Sequence, residues 1–112
     1  MSTKYELPNI HPGEMLLEDF MKPMGITAYR LATDIGVPIN RIDTIIHGKR
    51  SISPDTAIRL GRYFGMSAEF WLNAQAHYDL MEVRRSLDDK IENITPYKET
   101  PQGKRRQLAN AN

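Results

Sequence analysis

Cysteine is missing from all 112 residues, which removes disulfide frameworks, thiolate catalysis and cysteine zinc sites together. Long apolar runs are missing too. Mean hydropathy is −0.52, and nothing approaches the about 18 consecutive apolar residues of a membrane span. Met1 to Ile10 lacks the apolar centre of a secretory leader, so a cytoplasmic protein with no membrane partner is expected. Histidine is sparse: His11, His47 and His77 show neither HxxxH nor HExxH spacing, and no metal site is expected. The glycines stand singly and form no phosphate-cradling loop, and no serine carries a nucleophile elbow or a base. Asp88, Asp89 and Glu92 read as a solvated helix face rather than a catalytic acid pair. A non-catalytic chain without cofactor follows.

Charge of one sign is scarce as well. Fifteen Lys and Arg against 14 Asp and Glu give +1, which as a total argues against a nucleic-acid partner. The distribution argues otherwise. Residues 1–40 and 63–95 are net acidic, at −2 and −3, whereas 41–62 and 96–112 each carry +3. In the first basic window Arg41, Lys49, Arg50, Arg59 and Arg62 face only Asp43 and Asp55. A window this modest fits a solvated mixed face as well as a DNA footprint, so charge alone does not decide.

Apolar residues recur at three and four, never in strict alternation, which predicts helices and no strands. Pro12 and Glu14 suit a first helical turn, and Pro23 with Gly25 ends that helix. Thr27 is an N-cap for a second helix ending near Gly36. A third runs from Pro38, at its first position, to about His47, with Gly48 as its stop. Ser53-Pro54-Asp55 opens a fourth, closed by Gly65, and Ser67 opens a fifth reaching Glu92. Tyr63, Phe64, Phe70, Trp71 and Tyr78 cluster at the corner of helices four and five as core, and Gly61 permits a close crossing. The expected organisation is an arm over 1–10, an all-α five-helix domain with an extended C-terminal helix over 11–94, and a disordered basic tail over 95–112.

In the last helix Leu80, Val83, Leu87, Ile91 and Ile94 form one narrow apolar seam at spacings of 3, 4, 4 and 3. Four short helices cannot cover a rod of that length, so the seam is expected to meet a second copy in a homodimer.

The stretch AYRLATDIGVPINRIDTIIH, residues 28–47, carries the functional signal. A helix-turn-helix requires a small residue where its helices cross, met by Ala32, and a residue tolerating positive φ at the turn, met by Gly36. Ile42 and Ile45 supply the apolar underside of the second helix, and Leu31, Ile35 and Val37 the remaining buried positions. At about 100° per residue, Asn40, Thr44 and His47 point away from Ile42, with Arg41 and Asp43 flanking them. That ridge is the one a helix-turn-helix lays in the major groove. Asn suits adenine, Arg suits guanine, and the Thr44 methyl suits thymine; Asp43 either accepts from a cytosine amine or holds Arg41 in place. Phosphate contacts are expected from Thr27, Tyr29 and Arg30 at the start of the preceding helix, and from Lys49, Arg50 and Ser51 after the reading helix.

Residues 11–80 resemble the HigA-type antitoxins, also known as virulence-associated protein I, of the Xre helix-turn-helix superfamily. HPGE at 11–14, HGKR at 47–50, SPDTAIRLGRYFG at 53–65 and EFWLN at 69–73 carry the likeness. The resemblance implies a lambda-repressor-like fold and a dimeric repressor that binds double-stranded operator DNA. It also implies a partner, a small RelE-like toxin acting as an mRNA endonuclease, and maps reading positions onto Asn40, Arg41, Thr44 and His47. Such toxins being basic, the acidic first helix with Glu14, Glu18 and Asp19 is the expected toxin face. A stand-alone Xre-type regulator, or a module that binds only protein through the seam, are the alternatives.

Overall fold

A computed structural model describes residues 8–98; the basic triplet Lys104, Arg105 and Arg106 expected in the tail lies outside them. Five helices and no strand are present among the described residues. The first, α1, runs without a break through an α turn at Pro12–Met15, a π-helical stretch at Leu16–Met21 and a closing turn at Lys22–Met24. It is followed by α2 (Ala28–Ile35), α3 (Ile39–Ile46), α4 (Pro54–Phe64) and α5 (Ala68–Ile91). None of the helices is long and apolar enough to cross a membrane.

The helix starts follow the capping chemistry in the sequence. Oγ of Thr27, Ser53 and Ser67 accepts from the backbone N–H of Arg30, Thr56 and Phe70 respectively, each filling one of the donors a helix N-terminus leaves open. His11 caps α1 in the same way, its Nδ1 accepting from Gly13 N–H at 2.8 Å. Two boundaries differ from expectation. Pro38 is the N-cap residue of α3 rather than its first helical position. Pro23 lies inside α1 instead of ending it, and Gly25 alone makes the stop. A proline in a helix crowds the carbonyl four residues back, here that of Asp19. The chain makes room by widening the preceding turn, so that Lys22 N–H reaches back five residues to the Leu17 carbonyl.

Leu16, Met21, Leu31, Ile42, Ile45, Ala57, Leu60 and Trp71 make the fully buried centre. Each large apolar side chain there contributes about 1.5–3 kcal/mol by leaving water. Phe20 joins Phe64, Phe70 and Trp71 in a cluster with ring centroids 5.0 to 6.4 Å apart. Tyr78 is not part of that corner; its ring meets His11 edge-on at 4.8 Å. Gly61 does make the close approach expected of it, since a Cβ there would stand 2.5 Å from the Met66 carbonyl oxygen. Gly13 makes a closer one: its Cβ would fall 1.8 Å from the carbonyl oxygen of Ile45. Backbone meets backbone at that point, which seats α1 directly on the end of α3.

Candidate nucleic-acid interface

The turn between α2 and α3 carries Gly36 at φ 74°, a left-handed conformation that a residue with a Cβ adopts only under strain. Ala32 is 2% exposed where the two helices cross, and Leu31, Ile35, Ile42 and Ile45 are buried beneath them. Val37 is half-buried. The helix-turn-helix expected from residues 28–47 is therefore folded as one unit.

With Ile42 and Ile45 turned inward, α3 presents Asn40, Asp43 and His47 to solvent, and Arg41 and Thr44 are half-buried along its edges. Thr44 Oγ1 donates to the Asn40 carbonyl at 2.7 Å, so its hydroxyl proton is engaged within the helix. His47 Nδ1 lies 2.7 Å from the Asp43 carbonyl and must donate to it. Neutral His47 consequently carries its proton on Nδ1 and keeps Nε2 as an acceptor. Ile39, in the first turn of α3, is 48% exposed.

Asp43 does not hold Arg41, contrary to one of its two expected roles. Its carboxylate lies 3.5 Å from His47 Nδ1. The partner of Arg41 is Asp55, whose Oδ2 accepts from the guanidinium at 2.5 Å. Asp55 sits in the first turn of α4 and also accepts from Arg59 Nε through both oxygens, at 3.3 and 3.2 Å. Arg59 in turn donates to the carbonyls of Ile35 and Gly36, at 2.7 and 3.3 Å, at the end of α2. Hydrogen bonds from Arg41 and then Arg59 hold the Asp55 carboxyl below the usual carboxylate range.

Thr27 and Tyr29 are exposed at the start of α2. Arg30 is exposed but committed through Nε to Asp34, at 2.8 Å. Asp34 also accepts from the Tyr63 hydroxyl at 2.6 Å, and the Tyr63 bond followed by that of Arg30 keeps its carboxyl low. Arg30 spends Nε there, not the pair of terminal nitrogens that an arginine presents to a phosphate.

Lys49, Arg50 and Ser51 are exposed on the loop after α3. The loop is anchored by two groups unforeseen in the sequence. Ile52 is 2% exposed, and its N–H donates to Gln75 Oε1 of α5 at 2.8 Å. Gln75 Nε2 donates to Asp79 at 3.0 Å. Spacing could have revealed Asp55 beside Arg59, four residues on in one helix. Nothing in it reveals Arg41 with Asp55, which only the turn into α4 brings together. Among the described residues no three His, Asp or Glu groups gather closely enough to hold a metal ion.

Away from this face, Leu80, Val83, Leu87, Ile91 and Ile94 are 38% to 70% exposed. Glu14, Glu18 and Asp19 line an open groove together with Ile10, Pro12, Met15, Ala74 and His77, with Glu18 paired to Lys22 at 2.8 Å.

Residues 17–71 match the model of a helix-turn-helix family. Virulence-associated protein I of Dichelobacter nodosus is 52% identical over 77 residues, covering 69% of this chain and 71% of that one. A structure of a HigA-family addiction module antidote from Coxiella burnetii is 42% identical with a TM-score of 0.77, over 81% of this chain and all of that one. The Pseudomonas aeruginosa antitoxin HigA, solved with the higBA promoter, is 38% identical with a TM-score of 0.78, over the same shares.

Proposed function

The chain belongs to the helix-turn-helix family of virulence-associated protein I and the HigA antitoxins, and from that premise we propose that it is the antitoxin of a toxin–antitoxin pair that represses transcription by binding operator DNA. The family consists of regulators, not enzymes. The observation that carries the reading is the outer ridge of α3: Asn40, Asp43 and His47 stand in solvent on the second helix of a helix-turn-helix whose first helix is capped by Thr27. Lys49, Arg50 and Ser51 flank it on a loop tied to the core. A neighbouring promoter complex of the same fold, at 38% identity, supports it.

In this reading the ridge, with Arg41 and Thr44, contacts base edges. Thr27, Tyr29, Arg30 and the loop after α3 contact phosphates. Two copies pair along Leu80, Val83, Leu87, Ile91 and Ile94, placing half-site centres about 34 Å apart on one DNA face. The partner toxin is a small basic RelE-like mRNA endonuclease, docked against the acidic rim of α1, and the pair works in the cytoplasm.

Binding measured on a duplex selected from a random library tests the DNA half. Asn40→Ala and Arg41→Ala are each expected to weaken it by about 1–3 kcal/mol, and the affinity is expected to fall steeply with salt. Unchanged affinity in both variants removes the ridge from the interface. Co-expression with the adjacent open reading frame tests the antitoxin half. Rescue of growth from a toxic neighbour supports it, and a harmless neighbour leaves a stand-alone regulator.

A further inference from the structure

Asp55 is an anomaly on this face. Arg41, Arg50 and Arg59 line one open cleft between α3, its following loop and the start of α4, and Asp55 is the carboxylate among them. A negative group beside a DNA backbone repels it, and a helix N-terminus can be served by Ser53 alone. Yet the carboxylate is fully committed. It takes Arg41 on one side and Arg59 on the other, and Arg59 is itself fastened to the backbone carbonyls of the helix-turn-helix turn. The chain of bonds runs from a fixed point in the backbone to the side chain that flanks the reading ridge.

Building on the proposed DNA reading, we infer that Asp55 is a specificity-determining positioning residue: with Arg59 as its anchor, it fixes the guanidinium of Arg41 so that Arg41 reads a base instead of roaming over phosphates. An unrestrained arginine next to DNA finds a phosphate within reach at almost any sequence. Base discrimination needs the planar fork held in one place, where a correct base gains both bonds and a wrong one gains neither. Asp55 supplies that restraint and cancels one positive charge, so Arg41 contributes little to indiscriminate attraction. Its low-lying carboxyl stays charged throughout the range in which DNA binding is measured. Arg50, on the outer wall of the same cleft, is outside the chain of bonds and keeps its phosphate role.

The test compares wild type, Asp55→Asn, Arg41→Ala and the double variant. Each is used to select duplexes from one random library, and each is titrated with the wild-type consensus duplex and a scrambled duplex of equal length. Asp55→Asn is expected to bind the scrambled duplex more tightly and to lower the consensus-to-scrambled affinity ratio about tenfold. Its selected pool should blur at the same base pair of each half-site that Arg41→Ala blurs. In the Arg41→Ala background the same substitution should shift the ratio less than about twofold. An unchanged ratio in Asp55→Asn, or a loss undiminished when Arg41 is absent, overturns the inference. A wild-type pool without consensus instead refutes the DNA reading from which it proceeds. Should Asp55→Asn fail to fold, Asp55→Glu retains the charge at the helix start and displaces Arg41 by one methylene. It is expected to blur that same position, and a sharp consensus with Glu overturns the assignment.

Discussion

The two halves of α5 obey different rules. From Ala68 to Asp79 the helix is part of the core: Trp71 and Gln75 are buried, and Phe70, Leu72 and Ala74 are half-buried. From Leu80 to Ile91 nothing is buried, and Leu80, Val83, Leu87 and Ile91 stand in one narrow exposed stripe, with Met81 half-buried off it. The first half has the broad apolar face of a helix packed on a globular body; the second has a thin apolar stripe of the kind that suits pairing with another helix. A segment of this length is marginal on its own in water, so the bare half is helical as a continuation of the embedded one. Position along a single helix thus separates residues that hold this chain together from residues free to hold two chains together.

That contrast breaks most readily at Trp71. Trp71→Ala is expected to destabilise the fold by about 3–5 kcal/mol in urea unfolding. Trp71→Phe should lose much less, because Nε1 is buried without an acceptor among the described residues and its removal leaves no group unpaired. A second break acts on the bare half. Val83→Glu with Leu87→Glu is expected to raise the dimer dissociation constant at least about tenfold in sedimentation, while monomer unfolding moves by no more than about 0.5 kcal/mol. A chain ending at Asp79 should sediment as a monomer, and an unchanged dimer would place the interface elsewhere.

The smallest effect sits where the halves meet. His11 packs edge-on against Tyr78, and Asn9 Nδ2 donates to the Tyr78 carbonyl and to Glu82. Burial lowers the His11 pKa from 6.5, against the opposing pull of Asp79 and Glu14. The unfolded chain therefore takes up this proton first, and stability falls as pH drops through about 6.5 until the folded histidine also protonates. His11→Asn keeps an acceptor for Gly13 N–H and removes the titration. Thermal melts between pH 7.5 and 5 should be flatter for it than for wild type, and parallel curves would exonerate His11.

Much of this was legible because it is local. Thr27, Ser53 and Ser67 cap the helices expected of them, since a hydroxyl one residue before an amphipathic run has few other uses. The helix-turn-helix was legible for a related reason: Ala32, Gly36, Ile42 and Ile45 meet steric requirements within 14 residues of one another. What escaped depends on contacts between distant segments. Arg41 finds Asp55 across the loop into α4, whereas helix geometry alone offered the nearer Asp43. Gly13 meets Ile45 and Ile52 meets Gln75 by tertiary packing that no spacing announces. The π stretch in α1 escaped as well, because a proline inside a helix more often signals its end than a widened turn.

The bond between Ile52 and Gln75 has a geometric consequence. It fastens the loop beside the reading helix to α5 only five residues before the seam begins at Leu80. In a seam-paired dimer, α5 then works as a gauge bar, with the DNA-facing parts clamped at one end and the partner at the other. The rotational phase between the two reading helices is set by the register of those few residues. One residue inserted after Asp79 turns the seam by about 100° relative to the loop, leaving each half able to grip DNA and the pair unable to grip the same face of it.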